Sequence, residues 1–358
     1  MAKDAYARIL VVKPSSLGDI IHTFPALKLL HDANPEAVLD FMVHPAFAEA
    51  LDYSPWPVER KIFFERAKLG RAASFCREFR KLVTELRARR YDLVVDFQGL
   101  FRSAFFARVA AGIGTPLAGF AASREITAKW FYSTKVEVNG VHAVERNVEL
   151  VNRLTGDKRP VPELAIPRAP SGTALPEELP RHYLLLVPGG RWPSKRFPVR
   201  LFAASAKMVM EKFPGVEPVI SGGADECETA AELCRELGGK ALDLCGRTSL
   251  GSLFELVRGA AGVICNDSGP MHIAALMRRP LCAFFGPTRP AATGPWGSPK
   301  RCRVFRRKEL KCLECMRKKC RFGDYPCFGI EARQVADSMC AMLAEAPDLA
   351  NRADRNGL

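Results

Sequence analysis

No apolar stretch of this 358-residue chain approaches the about 20 residues that a membrane-spanning helix requires. The segment Met1 to Arg8 is polar and includes Asp4, and the run Ile9 to Val12 is too short to be the core of a secretion signal. The expected place is the cytoplasm. Also missing are a G-x-G-x-x-G after a strand and a G-x-x-x-x-G-K-(S/T) loop, which takes the main support from nicotinamide or flavin dehydrogenases and from P-loop NTPases. No D-x-D string offers paired carboxylates to a divalent ion. Aromatic residues make up only 9% and do not interleave with basic ones as a base-stacking platform. Nucleic acid is therefore not an expected partner.

What is plentiful is positive charge. Lys and Arg outnumber Asp and Glu by 53 to 39, a formal net charge of +14. Such a surface draws something acidic, whether nucleic acid, an anionic membrane or a phosphorylated substrate. Eleven of the basic residues fall between Arg60 and Arg90, where they either solvate a helix face or meet an acidic ligand, with Arg60 and Lys61 among the candidates. Twelve cysteines without a secretion signal read as reduced thiols, metal ligands or core residues, rather than as a disulfide framework.

Short β-branched runs alternate with stretches of helical period. Arg8 to Lys13, Val38 to Val43 and Asp92 to Phe97 read as strands, with Phe75, Phe79, Leu82 and Leu86 at helical spacing between them. Six prolines between Arg159 and Pro180 then break the pattern. It restarts with Tyr183 to Val187 as strand, Val199 to Phe213 as helix, Val216 to Ser221 as strand and Glu226 to Leu237 as helix. Gly262 to Cys265 and Leu281 to Phe285 flank a helix beginning near Gly269. The expected fold class is α/β, with Rossmann-like domains at 1–165 and 181–330, a Pro-rich linker at 166–180, and a C-terminal helix and tail at 331–358. Two such sheets facing across a cleft would bind ligands beyond the carboxyl ends of their strands.

Three loops fall at those ends. Ser15-Ser16-Leu17-Gly18-Asp19 places a carboxylate at a strand-to-helix turn, as a helix cap or as a group positioned to take a proton. Asn266 to His272 opens a helix with small residues, so that backbone N–H groups point outward, as in diphosphate sites. Gly189-Gly190-Arg191-Trp192-Pro193-Ser194-Lys195-Arg196 sets two glycines and a cation cluster at a third strand end. Separately, Cys312-x2-Cys315-x4-Cys320-x6-Cys327 is dense enough to wrap a tetrahedral ion, and a structural zinc, an iron–sulfur cluster or simply reduced cysteines are the readings; a zinc there is expected to lie away from Asp19 and Lys195.

Taken in order, SSLGD, QGLFRSA (98–104), SREITAKWFY (123–132), HAVERN (142–147), PGGRWPSKRF, NDSGPMHIAA and FFGPT resemble glycosyltransferase family 9, the heptosyltransferases, over about Ile9 to Trp296. The middle segments resemble type I members, and the cysteine cluster resembles type II. The resemblance implies a GT-B architecture and inverting transfer of heptose from ADP-heptose to the Kdo/heptose inner core of lipopolysaccharide, at the cytoplasmic face of the inner membrane. It implies Asp19 as catalytic base and Lys195 beside the donor phosphates. Ser16, Gly18, Gly189, Asp267, Ser268, Gly269 and His272 are implied at the donor, with Glu226 or Glu228 on the ribose. Arg60, Lys61, Gln98 and Arg124 are the expected acceptor contacts. The transfer so implied requires no cofactor, in agreement with the missing D-x-D string. The alternatives are a different sugar or acceptor within the family, a sugar-nucleotide epimerase of the same shape, or, in a different class, a basic nucleic-acid-binding protein.

Overall fold

The computed structural model describes residues 6–70, 72–168 and 173–345. The chain divides into two compact units, Met1–Pro170 and Ser171–Leu358. Part of the Pro-rich linker (169–172) and most of the C-terminal tail (346–358) lie outside the described residues.

The first unit runs β1 (Arg8–Val12), α1 (Leu17–Ile21), α2 (Phe24–Ala33), β2 (Val38–Val43), β3 (Val58–Phe63), α3 (Arg66–Leu69), α4 (Ala72–Arg87), β4 (Leu93–Asp96), α5 (Phe101–Ala111), β5 (Leu117–Phe120), β6 (Thr134–Val136) and α6 (Ala143–Thr155). Its six strands are parallel, in the order β3-β2-β1-β4-β5-β6. Ile9 to Val12 and Leu93 to Val95 are fully buried, as central strands covered on both faces must be.

The second unit repeats the plan with β7 (Tyr183–Val187), α7 (Val199–Lys212), β8 (Glu217–Ile220), α8 (Cys227–Glu236), β9 (Leu242–Asp243), α9 (Leu250–Gly259), β10 (Gly262–Asn266), α10 (Gly269–Leu276), β11 (Leu281–Phe284), α11 (Pro290–Thr293), β12 (Cys302–Phe305) and α12 (Ala332–Ala344). The strand order β12-β11-β10-β7-β8-β9 is the same doubly wound order, again parallel. These are the two Rossmann-like domains of the GT-B architecture. The expected C-terminal helix is α12. Val335, Met339, Met342 and Leu343 sit in one buried cluster with Phe202, Val209, Phe284 and Ile264, so the last helix completes the core of the second domain. None of the described helices is long and apolar enough to cross a membrane.

In each sheet the strand order reverses once, between β1 and β4 and between β7 and β10. There the loops leave toward opposite faces, and ligands of doubly wound sheets bind at that point.

Candidate active site

At the first switch point the turn after β1 leads into α1, whose first turn carries Asp19. Ser16 donates to Asp19 Oδ2 twice, from its backbone N–H at 2.9 Å and its hydroxyl at 2.8 Å, so the carboxylate closes a capping box on α1. The capping role and a base role share one geometry: those donors fix where the carboxylate points. Near it, Lys13, the residue after β1, is almost wholly buried and donates to the Phe97 carbonyl at 2.9 Å. Burial pushes the Lys13 pKa down, and the nearby Asp19 and Asp96 carboxylates oppose that shift.

Asp96, the last residue of β4, is the hub of the facing loop. Its carboxylate accepts from the Tyr132 hydroxyl (2.7 Å), the Ser103 hydroxyl (2.9 Å) and the Gln98 N–H (2.8 Å). Burial raises its pKa while these donors pull it back. Tyr132 reaches it only because residue 119 is glycine, since a Cβ there would lie 2.4 Å from the ring. The Gln98 side chain in turn accepts from Ser15 N–H at 3.4 Å, and Gly99, at φ +67°, packs against the Arg124 backbone. Asp19, Gln98 and Arg124 thus belong to one connected edge of the first sheet.

At the second switch point Lys195 forms an ion pair with Asp267 at 2.7 Å, and Thr288 donates to the same carboxylate oxygen at 2.5 Å. The Lys195 ammonium also lies 5.0 Å from the centre of the Trp192 ring. Asp267 is therefore the group that holds Lys195 in place. Asn266, wholly buried, donates to the Pro188 and Gly189 carbonyls (2.6 and 3.1 Å) and accepts from Phe197 N–H (3.3 Å), which locks the β7 and β10 loops together. Ser268 is the N-cap of α10, but its hydroxyl turns to the Asn266 carbonyl and no side chain caps the helix. His272 is buried one turn further on. Glu226 accepts from Gly223 N–H at 3.0 Å and lies across Gly189, where a Cβ would come within 2.0 Å of its carboxylate. Glu228 is exposed in the first turn of α8.

The sequence profile of glycosyltransferase family 9 (heptosyltransferase) matches residues 79–326. The chain belongs to this family. A lipopolysaccharide heptosyltransferase 1 of Pseudomonas aeruginosa is 32% identical, over 88% of each chain. The structure of the E. coli heptosyltransferase WaaC with ADP-2-deoxy-2-fluoro heptose is 28% identical, covers 84% of this chain and 93% of its own, and superposes with a TM-score of 0.68. That of E. coli ADP-heptose lps heptosyltransferase II is 25% identical, covers 94% and 98%, and gives 0.73. The protein is thus a glycosyltransferase with relatives of both heptosyltransferase types.

In this family 9 member the expected residues are distributed as follows. Ser16 and Gly18 lie in the first unit beside Asp19, and the other expected donor residues lie in the second unit. Arg60 and Lys61 lie in β3, two strands from β1, short of the strand's carboxyl end, and Lys61 is tied to Asp52 at 2.5 Å. They do not join Asp19 and Gln98. The four clustered cysteines form no metal set: among the described residues no three His, Cys, Asp or Glu side chains converge on a common point. Cys327 instead turns onto Gly286, with Sγ 3.0 Å from where a Cβ would be, and its burial, with Cys320, Cys312 and Cys315 nearby, pushes its thiol up to about 11. The segment is not remote from Lys195. Ser194 donates to the Lys318 carbonyl from its N–H (3.2 Å) and to the Arg317 carbonyl from its hydroxyl (2.6 Å), and Met316 N–H donates to the Pro287 carbonyl (2.9 Å). The cysteine-bearing segment braces the two loops that hold Lys195 and Thr288.

Lys13, Asp96, Tyr132, Asn266 and Thr288 were not among the expected site residues. A usable signal existed for three of them: Lys13, Asp96 and Asn266 are polar residues that directly end buried apolar strand runs.

Proposed function

We propose that the chain transfers heptose from ADP-heptose to the Kdo/heptose inner core of lipopolysaccharide, inverting the anomeric carbon by direct displacement. The observation that carries this reading is Lys195, held at the β7/β10 switch point by Asp267 and Thr288 beside an α10 start without a side-chain cap. A fixed cation and outward helix N–H groups suit a diphosphate whose charge grows as it leaves. The ADP-heptose analogue bound by the WaaC relative gives that diphosphate its nucleoside and sugar. Glu226, lying against Gly189, is the better-placed carboxylate for the ribose hydroxyls.

In the reaction the acceptor oxygen bonds to the anomeric carbon as the bond to the ADP oxygen breaks, and the acceptor's proton passes to Asp19. Gln98 and Arg124, on the same sheet edge, meet the acidic acceptor, and the enzyme works at the cytoplasmic face of the inner membrane. The test is a panel of ADP- and UDP-sugars with lipid acceptors truncated before and after the first heptose. ADP released in step with a heptosylated product is expected. Transfer of another sugar, with ADP-heptose left intact on every acceptor, overturns the reading.

A further inference from the structure

The acceptor edge of the first unit continues into an exposed apolar surface. Trp130 is 70% and Ile126 is 69% exposed, on a short 3-10 helix, and Phe101 is 44% exposed at the first turn of α5. A folded chain gains nothing from large apolar side chains in water, and a cluster of them marks a contact surface. This one is held firmly. The Glu125 carboxylate accepts from Phe101 N–H at 2.6 Å, Glu125 N–H donates to the Gly99 carbonyl at 3.0 Å, and the Arg108 guanidinium grips the Phe131 carbonyl at 2.9 and 3.1 Å. Phe101 and Phe131 meet edge to face, with centroids 5.3 Å apart.

Charge selects the occupant. Arg102 and Arg124 are exposed beside the apolar residues, Lys129 is half-exposed, and the local carboxylate, Glu125, is engaged by backbone. Tryptophan with an aliphatic residue and flanking Lys or Arg is the composition that sits at a bilayer interface, and basic residues add attraction when the lipid is anionic. The same 98–132 segment carries Gln98 and Arg124, so a lipid surface docked here would present a lipid-anchored acceptor at the Asp19 end of the sheet.

We infer that Phe101, Arg102, Ile126, Lys129 and Trp130 form a membrane-docking surface that seats the first unit on the anionic leaflet holding the acceptor. The inference rests on the acceptor's being lipid-anchored, as proposed above. Docking by apolar side chains and basic residues together takes two signals, which gives reversible binding suited to an enzyme that must leave after each transfer.

The experiment compares the wild-type chain with Ile126→Ser/Trp130→Ser and, as a second variant, Arg102→Glu/Lys129→Glu; all four residues are at the surface, and an unchanged Tm verifies folding. Cosedimentation is read with vesicles of phosphatidylethanolamine plus phosphatidylglycerol and with phosphatidylcholine alone. Wild type should bind the anionic vesicles preferentially, and each double variant should bind about tenfold or more weakly, the effect expected for losing two interfacial side chains. KM for acceptor embedded in vesicles should rise by a similar factor, while transfer to the deacylated, water-soluble acceptor stays at the wild-type rate. Equal vesicle binding by variants and wild type overturns the inference. So does concentration-dependent self-association of the wild type that the variants abolish, which assigns the surface to a second copy of the chain. If no variant, nor the wild type, transfers heptose to the soluble acceptor, it is the proposed function that fails, and vesicle binding is still read by itself.

Discussion

The two sheets share a strand order, yet their switch points are built with opposite chemistry. In the first, the loops after β1 and β4 are organised by carboxylates: Asp19 takes two donors from Ser16, and buried Asp96 gathers Tyr132, Ser103 and Gln98. In the second, the carboxylate of Asp267 is spent on holding Lys195, and what the loops present outward is a cation and an uncapped helix start. One topology therefore carries an edge organised by carboxylates and an edge that presents a cation, and the difference resides in a few side chains on each. Fold alone says where chemistry occurs, and those side chains say which.

The sharpest way to break this comparison is to remove the defining group from each edge. Asp19→Ala should lower turnover by about 10²–10⁴ with ADP affinity unchanged, since a base acts only on the acceptor proton. Isothermal titration with ADP beside a turnover assay checks it, and more than about a tenth of wild-type turnover would reject Asp19 as base. Lys195→Ala should cost about 10²–10³ in turnover and weaken ADP as well, because the ammonium meets phosphate before and during charge development. Unchanged ADP affinity there would return Lys195 to a solvated loop.

A smaller effect tests how the second edge is packed. Gly189→Ala puts a Cβ 2.0 Å from the Glu226 carboxylate, whereas at Gly190 the nearest atom is 3.6 Å away, an ordinary contact. The first substitution must displace Glu226 and should raise the donor KM about tenfold, the worth of a hydrogen bond to a charged group. Gly190→Ala should leave it alone. Equal donor KM for both variants would remove Glu226 from the ribose.

Much of this was legible from residue order. The central strands are apolar runs bounded by turn residues, and β2 and β7 occupy the predicted ranges because fully buried parallel strands leave no ambiguity of face. Strands β3, β5, β6, β9 and β12 escaped notice: β3, β6, β9 and β12 are of mixed polarity, and β5, Leu-Ala-Gly-Phe, is apolar but only four residues long, so none carries a readable period. Of the site, the loops were found but not their wiring. That Asp267 serves Lys195, that Tyr132 reaches Asp96 across Gly119, and that the cysteine segment backs Ser194 are long-range contacts, which spacing along a chain does not encode.

The smallest expected effect concerns the residues whose location the sequence misjudged, and it separates the acceptor edge from the basic surface around it. Register places Asp40 opposite Arg60 and Met42 opposite Ile62, while Val12, the end of β1, stands opposite Met42. Arg60 and Lys61 therefore fall below the level at which the β1 loop departs, and two strand spacings, about 10 Å, to its side. Lys61 is further held by Asp52. Such a partly exposed pair is worth about 0–1 kcal/mol, so Lys61→Ala should lower stability by no more than that. Arg60→Ala and Lys61→Ala should each change acceptor KM less than about twofold, in contrast to Arg124→Ala, which removes a charge from the Gln98 edge itself and should raise it about tenfold. Denaturant unfolding and acceptor titration at fixed donor measure both quantities. A tenfold rise in acceptor KM for either β3 variant would extend the acceptor edge across the whole sheet and dissolve the distinction between a compact carboxylate-built site and its merely basic surroundings.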